Sequence, residues 1–186
     1  DEICDQYGAD TLRLFLMYLG PLDQSKLWNP RDIVGVHRFL QRLWRNMVDE
    51  HTGRMLVSHG APPPELQRLQ HRTIKRVTDG LERLSINTAI AALIELNNDL
   101  VSLETIPRET AETMILLLSP MAPHICEQLW HMLGHEQTLA GEAWPLADES
   151  LLTEEQIKYP VQVAGKLRSH VVVAADAGTS DIEIAA

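Results

Sequence analysis

The chain has 186 residues, a net charge of −10 at pH 7, and 45% hydrophobic and 23% charged residues. These values are ordinary for a soluble globular protein. A chain of this length buries roughly 70% of its unfolded surface, which supports one good core and a small second unit. The sequence contains no run of about 18 apolar residues, so no membrane span is predicted. Its start does not have the pattern of a signal peptide. Asp1 stands in place of a Met, and residues 183–186 resemble a helix start, so we expect a piece of a longer protein.

The charge is unevenly distributed along the chain. Residues 31–83 carry ten Lys and Arg against six Asp and Glu, a local charge of +4, whereas the remaining residues together carry −14. A net negative charge argues against nucleic-acid binding. However, a basic segment inside an acidic protein can still meet a phosphate backbone while the rest repels non-specific RNA.

Apolar residues at helical spacing predict six helices, over residues 8–19, 29–50, 65–84, 87–103, 107–118 and 123–133. Asn29 and Asn87 are the expected caps of the second and fourth helices. Pro30, Pro107 and Pro123 fit the first turns of the helices that they open. Because most of the links are short, the pattern predicts a mainly α, up-and-down helical bundle.

The inward faces of two helices supply much of the predicted core. In the second helix this face is Val36, Phe39, Leu40, Leu43, Trp44 and Met47, and in the third it is Leu66, Leu69, Ile74, Val77, Leu81 and Leu84. Gly80 weakens the third helix by about 1 kcal/mol relative to Ala. Residues 51–64, with two glycines and three consecutive prolines, are predicted to form a surface connection.

The pattern changes after Trp144, where period-two alternation replaces helical spacing. Residues 158–174 alternate as strands do, and Gly165 falls where a hairpin turn is expected. We therefore predict two domains: a helical bundle over residues 1–147, and the start of an α+β domain with a β-hairpin over residues 148–186, which is expected to be truncated.

A row of arginines is the strongest candidate for a binding site. On a helical wheel Arg38, Arg42 and Arg45 fall at about 0°, 40° and −20°, with Arg31 near 20°, whereas the apolar set centres near 170°. Arginine suits phosphates because its planar guanidinium offers a fork of donors. The alternative is a solvated basic face paired with acidic neighbours, which Asp49 at the helix end slightly favours.

Other basic and aromatic groups give weaker indications. Arg72, Lys75 and Arg76 form a second group, for which pairing with the following acidic residues is the favoured interpretation. Lys166 and Arg168 alternate on one predicted hairpin face, as in a ribbon that contacts a nucleic-acid backbone. Four tryptophans are candidates for base stacking, but those at positions 44 and 130 fall on apolar faces and are expected in the core.

Signatures of catalysis and metal binding are poor. The phosphate-binding, dinucleotide-binding, zinc-protease and nucleophile-elbow motifs are absent from the sequence. His131 and His135 are separated by Gly134, which should end the helix, so a metal site is not expected there. His124 and Glu127 share a helix face without a nucleophile or second carboxylate nearby, and they are interpreted as a helix-start residue and a helix surface residue. The two cysteines, at positions 4 and 126, are far apart, which favours unpaired thiols in a cytoplasmic protein.

Five separated strings resemble class I aminoacyl-tRNA synthetases of the leucine, isoleucine, valine and methionine group. They are YGADTLRL at 7–14, HRFLQRLWR at 37–45, NTAI at 87–90, SPMAPHICEQLW at 119–130 and VQVAGKLR at 161–168. The arginine helix and the last string are most similar to leucyl-tRNA synthetases of the bacterial type. Ala164 stands where that family usually has Asn, which leaves the type of the hairpin turn open because Ala does not favour positive φ.

The resemblance implies a monomeric cytoplasmic parent enzyme that activates leucine with ATP and Mg²⁺ and esterifies it to tRNA-Leu. It implies that the catalytic domain precedes this chain, which would hold no catalytic site, cofactor or metal itself. What remains resembles the anticodon-binding bundle, which is expected to hold the tRNA body through its backbone. The residues implied in RNA binding are Arg38, Arg42, Arg45, Lys166 and Arg168.

Three alternatives stay open on the sequence. The same module of an isoleucyl- or valyl-tRNA synthetase would predict a zinc-ligand cysteine cluster or a heptad coiled coil after the bundle, and neither is present. A helical protein–protein docking domain would fit the negative charge and predicts an exposed apolar patch. A free-standing hydrolase is disfavoured because its catalytic residues are missing.

Overall fold

Seven α-helices make up most of residues 2–147 in a computed structural model that describes residues 2–21, 23–25, 29–152, 156–163 and 166–174. They are α1 (Glu2–Tyr7), α2 (Ala9–Tyr18), α3 (Ile33–Met47), α4 (Pro64–Glu82), α5 (Ile86–Leu100), α6 (Arg108–Leu118) and α7 (Pro123–Met132). The chain divides into two compact units, residues 1–147 and 148–186. The predicted fold class, a helical bundle followed by a small unit with strands, is confirmed.

Helix α5 lies at the centre of the bundle. It packs against α2, α3, α4 and α6, and Ile90, Leu93, Leu96 and Leu100 are completely buried. A helix with neighbours on most sides cannot show a single apolar face, which explains why its sequence is apolar around much of its circumference.

Gly80 is where α4 and α5 approach most closely. A Cβ atom added at Gly80 would lie 3.0 Å from the Cβ of Ala89 and 3.3 Å from the carbonyl oxygen of Ser85. The glycine that weakens α4 by propensity therefore permits tight packing on α5. Leu84, which we expected to face inward, is 63% exposed, with a φ of 57° in the turn between the two helices. That prediction was wrong because α4 ends at Glu82.

The joint between α6 and α7 is held by two charged side chains of α2. The Asp10 carboxylate accepts hydrogen bonds from the backbone N–H groups of His124 (3.3 Å) and Ile125 (2.8 Å), in the first turn of α7. Arg13 donates to the carbonyl oxygens of Pro120 (2.9 Å) and Met121 (3.3 Å), just after α6. Each charge is opposite in sign to the partial charge at the helix end that it contacts, so both contacts are favourable.

Of the prolines expected in first helical turns, Pro123 is the first residue of α7, whereas Pro107 occupies the cap position of α6, which starts at Arg108. Asn29 accepts a hydrogen bond from the N–H of Arg31, as a cap should, but it caps a 3₁₀ turn over Pro30–Asp32 that precedes α3. The prediction that Asn87 caps α5 was wrong, because the cap position is Ser85 and the helix starts at Ile86. Helix α1 was not predicted; it is separated from α2 by Gly8, whose φ is +85°.

Two short strands tie the connection over residues 51–64 to the bundle. Strand β1 (Val57–Ser58) pairs in parallel with β2 (Ile106–Pro107), and Val48 forms an isolated antiparallel bridge with Met55. Strands of two residues have no detectable periodicity, so the sequence could not predict them. They fix the long link against the start of α6.

The second unit contains a β-hairpin of β3 (Gln156–Val163) and β4 (Lys166–Ala174), paired antiparallel. Between Val161 and Gln162 the register shifts, so that Arg168 is an extra residue on β4. The predicted turn at Ala164 and Gly165 lies outside the described residues.

Other sequence expectations concern thiols and membranes. Cys4 and Cys126 are both free, as predicted, and burial raises the pKa of the Cys126 thiol. Among the described helices, none combines the length and apolar character needed to cross a bilayer.

Candidate nucleic-acid interface

Helix α3 has a buried apolar face and presents three arginines to solvent from the opposite face. Ile33, Val36, Leu43 and Met47 are buried along the inward face of the helix, which fixes its rotation about its own axis. Arg38, Arg42 and Arg45 are exposed as the sequence predicts. The seven steps from Arg38 to Arg45 span about 10 Å at 1.5 Å per residue.

None of these arginines is ion-paired with a carboxylate within the described part of the chain. Arg42 Nη1 donates to the side-chain oxygen of Asn98 on α5. The Nε of Arg45 donates to the backbone oxygen of Gln41 at 3.2 Å, one turn earlier in the same helix. Arg38 has no hydrogen bond or ion pair to any described residue. Among the residues that the structure describes, all three charges therefore lack a compensating carboxylate.

Three basic side chains elsewhere in the bundle are ion-paired. Lys75 pairs with Asp79 at 3.3 Å, Arg76 pairs with Glu95 on α5, and Arg108 pairs with Glu112 at 2.8 Å. Two members of the second basic group, Lys75 and Arg76, are thus engaged with acidic residues, as we expected, although Arg76 reaches across to α5. Arg31, Arg54, Arg68 and Arg83 are also exposed without an ion pair among the described residues. What distinguishes the α3 arginines is that three of them follow one another along a single helix.

Two details of the predicted arginine row need correction. Arg31 lies in the 3₁₀ turn before α3, so its position on an α-helical wheel does not apply. Asp49 does not pair with Arg45. Its carboxylate instead accepts hydrogen bonds from the N–H groups of Thr52 (3.0 Å) and His51 (2.8 Å), and these lower the pKa of Asp49. The acidic residue that seemed to favour internal pairing therefore makes a turn.

Lys166 and Arg168 belong to the second unit, whereas the α3 arginines belong to the first. Lys166 is opposite Val163 in the hairpin, whereas Arg168 is the bulged residue. A bulge interrupts strict alternation, so the shared face predicted from period two does not follow from the backbone. Their role in RNA binding stays a prediction.

A cavity of ≈ 450 Å³ adjoins the arginine row. Its lining side chains come from α1, α2, α3 and the start of α7, with one residue after α3: Tyr7, Asp10, Thr11, His37, Leu40, Gln41, Trp44, Arg45, Glu50 and Ile125. The sequence did not reveal this cavity, because its walls are separated by more than 100 residues. Trp44, expected in the core, is half-buried and packs against it while also lining the cavity.

The other aromatic and histidine residues of the bundle have structural contacts. Trp130 is 4% exposed, and its ring stacks on His135 with centroids 3.6 Å apart. The Nε2 of His135 lies 2.8 Å from Glu112. Trp144 donates its indole N–H to Thr78 at 2.8 Å. Trp28 lies outside the described residues.

Histidine and carboxylate side chains do not assemble a metal centre or catalytic group in the described regions. No group of three or more His, Cys, Asp or Glu side chains there has the arrangement to hold a metal ion. His124, interpreted from sequence as a helix-start residue, lies in the first turn of α7. Its side chain is 74% exposed, with Nδ1 2.8 Å from the buried Asp10 carboxylate. Glu127 accepts a hydrogen bond from Thr138. These contacts fasten chain segments to one another.

A helix that exposes several arginines without carboxylate partners is typical of domains that bind a polyanion such as a nucleic acid. The family model for the anticodon-binding domain of tRNA ligase matches residues 66–184, and the chain belongs to this family.

The related proteins specify the group more closely. The chain is 50% identical to the leucine–tRNA ligase of Nocardia farcinica and 49% identical to that of Saccharopolyspora erythraea, over its whole length. It spans about 20% of the length of each of these relatives. It is also similar to the crystal structure of the ternary complex of an Agrobacterium radiobacter LeuRS with tRNA and LeuAMS. That match has 27% identity and a TM-score of 0.73, and covers 98% of this chain and 26% of the other.

Proposed function

We propose that this chain is the tRNA-holding part of a cytoplasmic leucine–tRNA ligase, and that it positions tRNA-Leu through the sugar–phosphate backbone. In this proposal the rest of the ligase activates leucine with ATP and Mg²⁺ and transfers it to the tRNA. The described residues of the bundle contribute binding and no reactive group.

The observation that carries the proposal is the unpaired arginine row on α3. Arg38, Arg42 and Arg45 are exposed, lie on one helix, and have no carboxylate partner among the described residues. Phosphate contacts fix the position and register of a nucleic acid without reading its sequence. Three guanidinium groups on a rigid helix satisfy that requirement, because each presents a planar fork of donors.

The rest of the chain is acidic, which supports selective binding of RNA at the arginine row. The chain as a whole has a net charge of −10, so RNA that does not reach the arginine row meets a repulsive field. A helical protein-docking domain is the weaker candidate. Large exposed apolar side chains are present, but apart from Leu16 and Tyr18, which share α2, they lie on separate segments.

The test is binding of tRNA-Leu to the 186-residue chain over a series of salt concentrations. We expect the triple variant Arg38→Ala, Arg42→Ala, Arg45→Ala to flatten the log–log salt slope by about 2 to 3, since each lost phosphate contact contributes about 0.7 to 0.9. Unchanged affinity and slope in a folded variant would overturn the proposal.

A matched pair of double variants separates a specific contact from a change in net charge. Arg38→Ala with Arg45→Ala and Lys75→Ala with Arg76→Ala remove the same charge. The second pair comes from side chains already engaged with Asp79 and Glu95. We expect the first pair to flatten the slope by about 1.5 and the second to leave it within experimental error. Equal effects would show that only overall charge matters.

A further inference from the structure

The cavity beside the arginine row has the size and lining of a ligand site. Its volume of ≈ 450 Å³ falls within the usual range for small-molecule pockets. Leu40 and Ile125 provide an apolar part of the wall, and Trp44 adds an indole. An aromatic side chain beside an apolar wall is a favourable place for a nucleobase, since stacking on an aromatic ring contributes about 1–3 kcal/mol.

His37 has its orientation and tautomer fixed by neighbours in the same wall. Its ring packs edge-to-face on Tyr7, with centroids 5.3 Å apart. The single hydroxyl hydrogen of Thr11 is donated to the backbone oxygen of Tyr7 at 2.7 Å. The contact of 3.3 Å between Thr11 Oγ1 and His37 Nδ1 therefore requires Nδ1 to be the donor. In the neutral ring this leaves Nε2 as a hydrogen-bond acceptor.

The charged groups of the lining have complementary preferences. Arg45 and Glu50 both line the cavity, and within the described residues neither has an ion-pair partner. The guanidinium suits a phosphate. The Glu50 carboxylate and the His37 Nε2 atom accept hydrogen bonds, so they favour a ligand with an amino group. Asp10 also lines the cavity, but its oxygens already accept from the first turn of α7.

From this combination we infer that the cavity receives one unstacked nucleobase carrying an exocyclic amino group, with the phosphate of the same nucleotide at Arg45. The base stacks on Trp44 and donates its amino hydrogens to Glu50 or His37. The inference rests on the proposed function, because it places this nucleotide in the RNA held by α3. It adds a base contact to an interface otherwise made of phosphate contacts, and it excludes uracil, which has no amino group.

The test uses single nucleotides as probes on the 186-residue chain. AMP, CMP, UMP and ribose 5-phosphate are titrated while the Trp44 indole and His37 ring resonances are followed by NMR. We expect AMP and CMP to shift both resonances saturably, with a Kd on the order of 1 mM, as one stacked base with one phosphate would give. We expect UMP to bind at least fivefold more weakly and ribose 5-phosphate to leave the Trp44 resonance unmoved.

Variants assign the contacts. Arg45→Ala should weaken the binding of AMP at least fivefold while leaving the binding of adenosine unchanged. Glu50→Gln should weaken the binding of both ligands at least threefold. Glu50 is exposed, so its substitution preserves the fold. Arg76→Ala is the control, because Arg76 pairs with Glu95 and does not line the cavity; it should leave AMP binding unchanged. Equal shifts with UMP, Trp44 shifts with ribose 5-phosphate, or no saturable shift with AMP would each overturn the inference.

The two proposals fail separately. If the arginine triple variant flattens the tRNA salt slope but AMP does not reach the cavity, the nucleobase site is wrong and the phosphate-binding role stands. If AMP binds as described but the salt slope is unaffected by the triple variant, the cavity binds nucleotides and the proposed path of the tRNA over α3 is wrong.

Discussion

Replacing Asp10 tests whether one carboxylate holds the joint between α6 and α7. Its side chain is 9% exposed and accepts hydrogen bonds from the N–H groups of His124 and Ile125. Loss of a helix cap typically costs about 1 kcal/mol and up to about 2. A buried hydrogen bond to a charged group contributes about 1.5–3 kcal/mol. The contact with the His124 ring adds little, since that side chain is 74% exposed.

We expect Asp10→Ala to reduce the free energy of unfolding by about 2–3 kcal/mol, because two N–H groups of the first turn of α7 lose their acceptor. Asp10→Asn keeps one acceptor oxygen and should lose about half as much. The assay is urea unfolding followed by far-UV circular dichroism, which reports the helices, with amide hydrogen exchange of Ile125 as the local measurement. Asp5→Ala is the matched control, because Asp5 is an exposed carboxylate on α1.

Arg13→Ala completes a double-mutant cycle. Since Arg13 contacts the carbonyls of Pro120 and Met121 in the same joint, we expect a coupling energy of at least about 0.5 kcal/mol between the two substitutions. The reasoning is refuted if Asp10→Ala is no more destabilising than Asp5→Ala, or if Ile125 exchanges at the same rate in both variants.

Three further predictions concern packing, a buried polar network and a thiol. Gly80→Ala should reduce the free energy of unfolding by about 1 kcal/mol despite the better helix propensity of Ala, because its Cβ would meet Ala89 at 3.0 Å. Adding Ala89→Gly should remove this steric crowding and restore stability, which thermal unfolding can measure. Thr110→Val should reduce the free energy of unfolding, measured with urea, by about 1–3 kcal/mol, because Thr110 donates a hydrogen bond to Gln70 Oε1 at 2.6 Å in the core. Cys126 should resist alkylation at pH 8 while Cys4 reacts, since burial raises the pKa of the Cys126 thiol and favours its unreactive neutral form; equal rates by mass spectrometry would contradict this.

Much of the helical architecture could be predicted because local chemistry sets it. Proline at Pro123 and glycine at Gly134 mark the two ends of α7 by their own backbone restrictions. The rotation of α3 also followed from sequence, since its apolar residues recur at helical spacing. This placed Arg38, Arg42 and Arg45 on the surface, where the structure has them.

What the sequence could not supply were contacts between distant segments. Asp10 caps a helix that begins 113 positions later in the chain, and no local pattern indicates such a partner. Pairing of an arginine depends equally on distant residues: Arg76 finds Glu95 on another helix, whereas Arg42 meets the neutral Asn98. The availability of the α3 charges therefore emerged only from the fold, as did the cavity that Arg45 lines.

The placement of Asp10 and Arg13 on α2 has a consequence for folding. A ribosome makes α2 long before α6 and α7, so both charged groups are in place when the joint emerges. Helix α7 thus acquires its cap as it forms, but this contact closes a loop of more than 100 residues. Closing so long a loop costs conformational entropy, which slows this step of folding. The last helix of the bundle should accordingly be the one whose formation reports that the whole bundle has closed.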